Sequence, residues 1–336
     1  MKKANASQSS FSRRKFLNTS LMAAAGVALA GAGCNSSKAN KTVSSKKMVA
    51  KAGLQLYSIP HLLEQDFRGT LKTVAGIGYK ELEFAGPYSY KDWKNAAPGA
   101  GKPTGGYYGN TPAEVKQMLN EYGLTAPSAH IPKAELQNNL APFIEAAHTV
   151  GHEYLVVPFL DAPDRGTIDI YKRLADEFNK IGAACKAGGI QLAYHNHSFE
   201  FGTVDGQVLY DILLNNTDKD LVKFELDLFW ISMAGFDPVA YFKKYPGRFR
   251  LVHCKNMATS KTLPSPLHSF DNLDSIKSAF ANQTNLGTGI IDFKRIIAAA
   301  KESGVEHFIV ERDRLLNSGE QELATIKDGY NYISNI

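Results

Sequence analysis

Residues Leu192–Phe201 read LAYHNHSFEF: an apolar run ends abruptly in His195, Asn196 and His197, with Glu200 three residues on. Side chains alternate along a strand, so His195 and His197 share a face and can reach one site. Glu200 stands at odd spacing from His197 and points away on a regular strand; a loop starting near Ser198 would bring it back. The same form recurs along the chain, a short apolar segment ending in Asp, Glu, His or Lys, with a helical stretch between successive copies. Repeated strand and helix units with polar strand ends predict an α/β fold, a (β/α)8 TIM barrel whose chemistry lies at its C-terminal mouth.

Eight strands follow from this pattern: Ala52–Tyr57, Tyr79–Phe84, Leu124–His130, Glu153–Phe159, the stretch from Ile190 through the paired histidines, Val222–Phe229, Arg248–Cys254 and His307–Glu311. In the sixth, Phe224, Leu226 and Leu228 alternate with Glu225, Asp227 and Phe229, so Glu225 and Asp227 face together. Helical spacing links Phe67, Leu71, Val74 and Ile77 before Gly78, and further helices are predicted over Pro112–Tyr122, Asn138–Val150, Thr167–Ala187 and Glu320–Ile333. The largest irregular stretch, Ala85–Thr111, carries Tyr88, Tyr90, Trp93, Tyr107 and Tyr108 among many Gly and Pro. Long ordered loops in compact domains are commonly functional, and aromatic faces suit the C–H faces of sugars, so a lid over the mouth is expected.

Before the barrel, Ser12-Arg13-Arg14-Lys15-Phe16-Leu17 precedes an Ala/Gly-rich run ending at Gly33, too short and too weakly apolar to span a bilayer. This resembles a twin-arginine export signal. Three segments result: residues 1–34 as the signal, 35–47 as a flexible Asn/Ser/Thr/Lys linker, and 48–336 as the barrel. Cys34 closes the signal, where a lipid anchor and an ordinary cleavage site nearby are the two readings. The expected destination is the periplasm, with membrane anchorage if Cys34 is lipidated. Nine of the 38 Lys and Arg lie in residues 1–47 with no Asp or Glu, leaving 29 basic against 33 acidic residues and a net charge of −4. That acidic balance argues against a nucleic-acid partner. Cys185 and Cys254 imply no disulfide framework.

AYHNHSFEF at strand five, ELDLFW at strand six, LVHCKN at strand seven, LGTGIIDF at Leu286–Phe293 and VERD at strand eight occur in this order. On these residues the chain resembles the sugar phosphate isomerase/epimerase family, with its xylose isomerase-like TIM barrel. The resemblance covers roughly Gly53–Ile333. It implies one divalent metal ion held by the ends of strands five to eight, hence by His195, Asp227, His253 and Glu311. Many members have Glu where this chain has His195; the imidazole removes one negative charge and favours Mn, Co or Zn, with Mg as the weaker fit.

Moving hydrogen next to a carbonyl needs an electrophile on the sugar oxygen and a base at the neighbouring C–H. His197 is the leading base, because its ordinary pKa is near neutral. Glu83 and Glu200 compete for the second acid/base role, and His130, Lys255 and Trp230 are substrate-binding candidates. The expected activity is a sugar isomerase or epimerase acting on a free or keto sugar. A 3-keto-glycoside lyase or dehydratase would begin with the same proton abstraction, and a non-catalytic periplasmic sugar-binding protein is the reading from another class. Export and the absence of a GxxxxGK phosphate cradle argue against sugar phosphates. The sequence leaves a homo-oligomer open.

Overall fold

The computed structural model describes residues 47–86, 107–313 and 318–336. The signal segment with Cys34, the linker through residue 46, and residues 87–106 of the expected lid, with Tyr88, Tyr90 and Trp93, lie outside the described residues.

Eight parallel strands close into a barrel: β1 Ala52–Gln55, β2 Glu81–Phe84, β3 Thr125–His130, β4 Tyr154–Val157, β5 Gln191–His195, β6 Val222–Asp227, β7 Phe249–Cys254 and β8 His307–Val310. Each hydrogen-bonds to its sequence neighbours, and β1 pairs with β8 to complete the ring. A helix follows each strand: α1 Phe67–Ile77, α2 Pro112–Tyr122, α3 Leu140–Val150, α4 Ile168–Ala187, α5 Leu209–Asn216, α6 Pro238–Lys244, α7 Phe293–Ser303 and α8 Gly319–Ile333. Their starts are written in the sequence. Asp66, Thr111, Thr167, Asp292 and Ser318 each accept a backbone N–H of the first turn, and Thr111 with Glu114 forms a full capping box.

Alternation sorts the strand residues into two sets. Leu192, Tyr194, Phe224, Leu226, Val252 and Phe308 are buried in the main hydrophobic cluster with the helices. Tyr154, Val156, Ala193, Leu251 and Ile309 form a separate cluster that fills the barrel axis. In α4, Leu174, Phe178 and Ile181 are buried, and the Phe178 ring lies 5.2 Å from that of Tyr194 in β5. Burying each such side chain contributes about 2 kcal/mol; truncating Phe178 to Ala would cost about 3–5 kcal/mol through the cavity it leaves.

The strands are shorter than their apolar runs. β1 stops at Gln55, whose side chain accepts the Tyr57 N–H and turns Leu56–Ser58 into a single 3-10 turn. β6 stops at Asp227 rather than Phe229, because the Asp227 carboxylate accepts the Phe229 and Trp230 N–H groups and starts a short helix, Leu228–Met233. The helix expected over Asn138–Val150 is α3, starting two residues later at Leu140, and a further short helix, Lys133–Asn138, precedes it. The LGTG stretch is a close-approach turn: a Cβ on Gly289 would lie 2.3 Å from the Met257 carbonyl and 2.5 Å from Asn256 Oδ1. Asn256 Oδ1 accepts the N–H groups of Met257 and Ile291, locking this turn to the end of β7.

Candidate active site at the barrel mouth

The inward residues at the strand ends form two storeys. Gln55, Glu83, His130 and Glu225 make the lower one; Asp227, Lys255, Glu311 and Asp313 make the upper one. The rings of His195 and His253 stand between them. Register sets this arrangement: Gln55 pairs with Glu83, His195 with Glu225, and Asp227 with His253.

In the lower storey, Glu83 Oε1 accepts from Gln55 Nε2 at 2.7 Å and from His253 Nε2 at 2.6 Å, with His130 Nε2 at 3.0 Å. Glu225 Oε2 lies 2.9 Å from His130 Nε2, 3.0 Å from His195 Nδ1 and 3.2 Å from His253 Nε2. Burial and the neighbouring Glu83 charge would raise the Glu225 carboxyl, but His253 and the His130 and His195 hydrogen bonds bring it down to about 2. Burial likewise opposes ionisation of Glu83, and His130 and His253 overcome it, holding that carboxyl well below its ordinary value. Both are carboxylates at neutral pH and can only accept, so the imidazole nitrogens facing them carry hydrogen.

That fixes which nitrogens face upward. His253 Nδ1 lies 2.5 Å from Glu311 Oε2 and 3.9 Å from Asp227 Oδ2, and His195 Nε2 lies 3.6 Å from Asp227 Oδ2. Asp227 Oδ2, His253 Nδ1 and Glu311 Oε2 are buried without a hydrogen bond of regular geometry, and a ligand atom from each of these three residues falls within one 4.8 Å cluster. Donors around a tetrahedral ion with bonds of about 2.0–2.2 Å lie roughly 3.3–3.6 Å apart; the 3.6 and 3.9 Å separations of Asp227 from His195 and His253 are close to this, whereas His253 Nδ1 and Glu311 Oε2, at 2.5 Å, would move apart to take an ion between them. Two carboxylates and two imidazoles fit a divalent ion of intermediate softness. Of the four residues whose ligand role the resemblance implied, Asp227, His253 and Glu311 share this group, while His195 groups with His130, Glu225 and His253 and approaches the first group through its Nε2, 3.6 Å from Asp227 Oδ2.

Lys255 Nζ sits among the same carboxylates, 3.0 Å from Asp227 Oδ2, 2.7 Å from Glu311 Oε2 and 3.1 Å from Asp313 Oδ1. Burial would discharge this ammonium, but Asp227, Asp313 and Glu311 hold its pKa well above the ordinary value. Burial pushes Asp227 up to about 6.

Above lies a cavity of about 360 Å³ bordered by His130, His195, His197, Lys255, Glu311 and Asp313 and by Tyr57, Tyr108, Phe159, Phe270 and Phe280. His195 and His197 meet at the mouth, their ring centroids 5.1 Å apart, although the strand ends at His195. The His197 ring is boxed by Phe159, Phe199, Trp230 and Phe270, with centroids 4.9–5.9 Å away. Burial, then the Lys255 and Arg165 charges, hold His197 well below its ordinary pKa, so it is a neutral imidazole.

Other expected site residues sit elsewhere. Trp230 is fully buried in the helix that Asp227 starts, behind His197, and is not among the residues bordering the cavity. Glu200, in a 3-10 turn, accepts the Tyr194 hydroxyl and the His197 N–H at 3.0 Å, on the side of β5 facing the helices. The turn near Ser198 thus forms without swinging Glu200 into the mouth. Glu83 lies beneath His253, outside the cavity lining. From the lid segment, Tyr107 is buried edge-on against Phe84 and hydrogen-bonded to His152, whereas Tyr108 borders the cavity.

Glu225 and Asp313 were not picked out as site residues by sequence reasoning. For Glu225 the signal was its place two residues before Asp227 on one face; for Asp313, its place two residues after Glu311 in VERD. Phe159 and Phe270 gave no signal, being ordinary apolar residues of a strand end and a loop.

The model of the xylose isomerase-like TIM barrel family matches residues 71–334. The chain belongs to that family. An inosose dehydratase of Lacticaseibacillus casei is 27% identical over 232 residues, covering 62% of this chain and 76% of the relative. A solved sugar phosphate isomerase/epimerase of Parabacteroides distasonis is 25% identical with a TM-score of 0.65, covering 88% of this chain and 96% of that one. A zinc-bound IOLI protein shares the fold at 14% identity and a TM-score of 0.59.

Proposed function

We propose that this enzyme removes the proton next to the carbonyl of a keto sugar or cyclic keto-polyol and then eliminates the substituent one carbon further on. The observation that carries this is the convergence of three buried donor atoms, Asp227 Oδ2, His253 Nδ1 and Glu311 Oε2, held together by ion pairs with Lys255 and with one another, beside a cavity bordered by a neutral imidazole and that buried ammonium. His195, Asp227, His253 and Glu311 would hold the divalent ion. When bound, it supplies an electrophile for a carbonyl and its neighbouring hydroxyl.

The chain's own residues account for the rest. His197, neutral and at the cavity wall, accepts the carbon-bound proton, and the electron pair passes to the carbonyl oxygen. Lys255 stays charged and donates to the oxygen on which negative charge collects. When the electrons return, the carbon–oxygen bond at the next carbon breaks and the leaving oxygen takes up the proton that His197 accepted, giving an enone and water or an alcohol. The aromatic box around His197 keeps bulk water from the base. The likeness to inosose dehydratases supports elimination. Return of the proton to carbon, an isomerisation or epimerisation, is the second reading, supported by the likeness to the sugar phosphate isomerase/epimerase.

The test is proton NMR of keto sugars and cyclic keto-polyols in D₂O with leader-free, metal-supplemented protein. Deuterium entering next to the carbonyl with loss of water or of an alcohol supports elimination; deuterium without loss supports isomerisation. Binding with neither would overturn both and leave a sugar-binding protein. Twin-arginine export to the periplasm belongs to the same proposal, with a free or glycosidic rather than phosphorylated substrate.

A further inference from the structure

Glu225 is fully buried, one layer below the residues that face the cavity, and no step above uses it. One of its oxygens, Oε2, is within 3.2 Å of three imidazole nitrogens, on His130, His195 and His253. These four residues also form a cluster that could hold a cation. The geometry is that of an acceptor hub instead. An ion would leave its donors around an unfilled centre about 3.3–3.6 Å from each other, whereas here the carboxylate oxygen itself occupies the centre at hydrogen-bond distances of 2.9–3.2 Å.

A metal-bound histidine usually donates its other ring N–H to a carboxylate, which fixes the tautomer and aims the ring. His195 offers Nδ1 to Glu225 and turns Nε2 toward Asp227. His253 offers Nε2 to Glu225 and Glu83 and turns Nδ1 toward Asp227 and Glu311. The two rings therefore present opposite nitrogens; Glu225 Oε2 faces the lower nitrogen of both, and Glu83 Oε1, closer at 2.6 Å, shares the hold on His253. Glu225 also returns, just beneath strand five, the negative charge that His195 does not bring.

Resting on the metal-site reading above, we propose that Glu225 is a positioning residue which sets the tautomer of His195, shares with Glu83 in setting that of His253, and thereby sets the affinity of the site for a divalent ion. The neighbouring Glu83 is the closer acceptor for His253 and also faces His130, so the tautomer of His195 is the one that rests on Glu225.

The experiment compares leader-free wild-type protein with Glu225→Gln and, as a control for losing a buried inward carboxylate, Glu81→Gln. Glu81 bonds His307 at 2.9 Å, away from this cluster. Zn²⁺ and Mn²⁺ affinities are measured by competition with a chromophoric chelator, and histidine tautomers by ¹⁵N NMR. The amide of Gln can turn its NH₂ toward an imidazole, so Glu225→Gln is expected to mix the His195 tautomers and weaken binding roughly 10–100-fold, with Glu81→Gln unchanged. Wild-type affinity and tautomers in Glu225→Gln would overturn the proposal alone. No ion uptake by the wild type would overturn the metal-site reading and this proposal with it. If Glu225→Gln does not fold by circular dichroism, Glu225→Asp, which keeps the charge but withdraws the oxygen by one methylene, carries the same expectation, and unchanged affinity there overturns it.

Discussion

Asp227 and His253, paired in register across β6 and β7, turn Oδ2 and Nδ1 toward one another at 3.9 Å, with neither atom in a hydrogen bond of regular geometry. Oδ2 is met by Lys255 Nζ at 3.0 Å and Nδ1 by Glu311 Oε2 at 2.5 Å, contacts that a divalent ion would replace. Asp227→Asn should therefore abolish metal uptake while leaving the fold intact, because its amide oxygen can still cap the helix at Leu228. Asp227→Ala should lose both the metal and about 1 kcal/mol of stability through the missing cap. Metal content by mass spectrometry and chemical denaturation separate the two effects.

Chelation should stop deuterium exchange into substrate, and restoring Mn²⁺, Co²⁺ or Zn²⁺ should recover more activity than Mg²⁺. Two imidazoles among four ligands favour the softer ions. Full recovery with Mg²⁺ alone would count against His195 as a ligand.

Lys255→Met removes the ammonium that faces Asp227, Glu311 and Asp313. Leaving those buried carboxylates uncompensated should cost the metal-free protein about 3–5 kcal/mol. Added divalent metal should raise the Tm of this variant by more than it raises that of the wild type. The measurement is thermal unfolding of both proteins with and without metal.

Much of the site was legible because a barrel puts chemistry at predictable places. Polar residues ending apolar runs pointed to His195, His253 and Glu311, alternation placed Glu225 beside Asp227, and the resemblance singled out Asp227 with the other three. The direction of a side chain past the last strand residue was not legible. Trp230 was expected to bind substrate, yet the Asp227 cap ends the sixth strand early, turns the chain into a helix and buries that ring behind His197. Glu200 was ambiguous for the same reason, and the Tyr194 hydroxyl settles its direction from the helix side of β5. The division of labour between carboxylates, Glu225 below and Asp227 above, depends on distances of a few tenths of an ångström that no spacing encodes.

His152 supplies a pH dependence remote from the mouth. Its Nδ1–H donates to the Ala126 carbonyl at 2.6 Å, its Nε2 accepts the Tyr107 hydroxyl at 3.1 Å, and burial pushes its pKa down to about 4. In the folded protein it is neutral, while in the unfolded chain it takes up a proton below about pH 6.5. Its contribution is therefore whole above pH 6.5 and lost as pH falls toward 4, by about 3 kcal/mol. Denaturant midpoints from pH 7 to 4 should fall less steeply in His152→Gln than in the wild type.

Arg13→Lys together with Arg14→Lys should leave the protein in the cytoplasm, and Cys34→Ala should release any membrane-bound fraction. Cell fractionation after each change reads out export and anchorage separately, and an unchanged periplasmic yield in the double arginine variant would sink the twin-arginine reading.

The two oxygens of Asp227 serve unrelated masters: Oδ1 begins a helix, and Oδ2 faces the mouth. Over evolutionary time the position is held by local folding as well as by chemistry. A descendant that lost its activity would still be selected to keep Asp or Asn there. Persistence of a strand-six aspartate in a relative is thus a poor witness to catalysis, and the loss of Glu225 or His253, which start no helix, would be a better sign that the reaction had been abandoned.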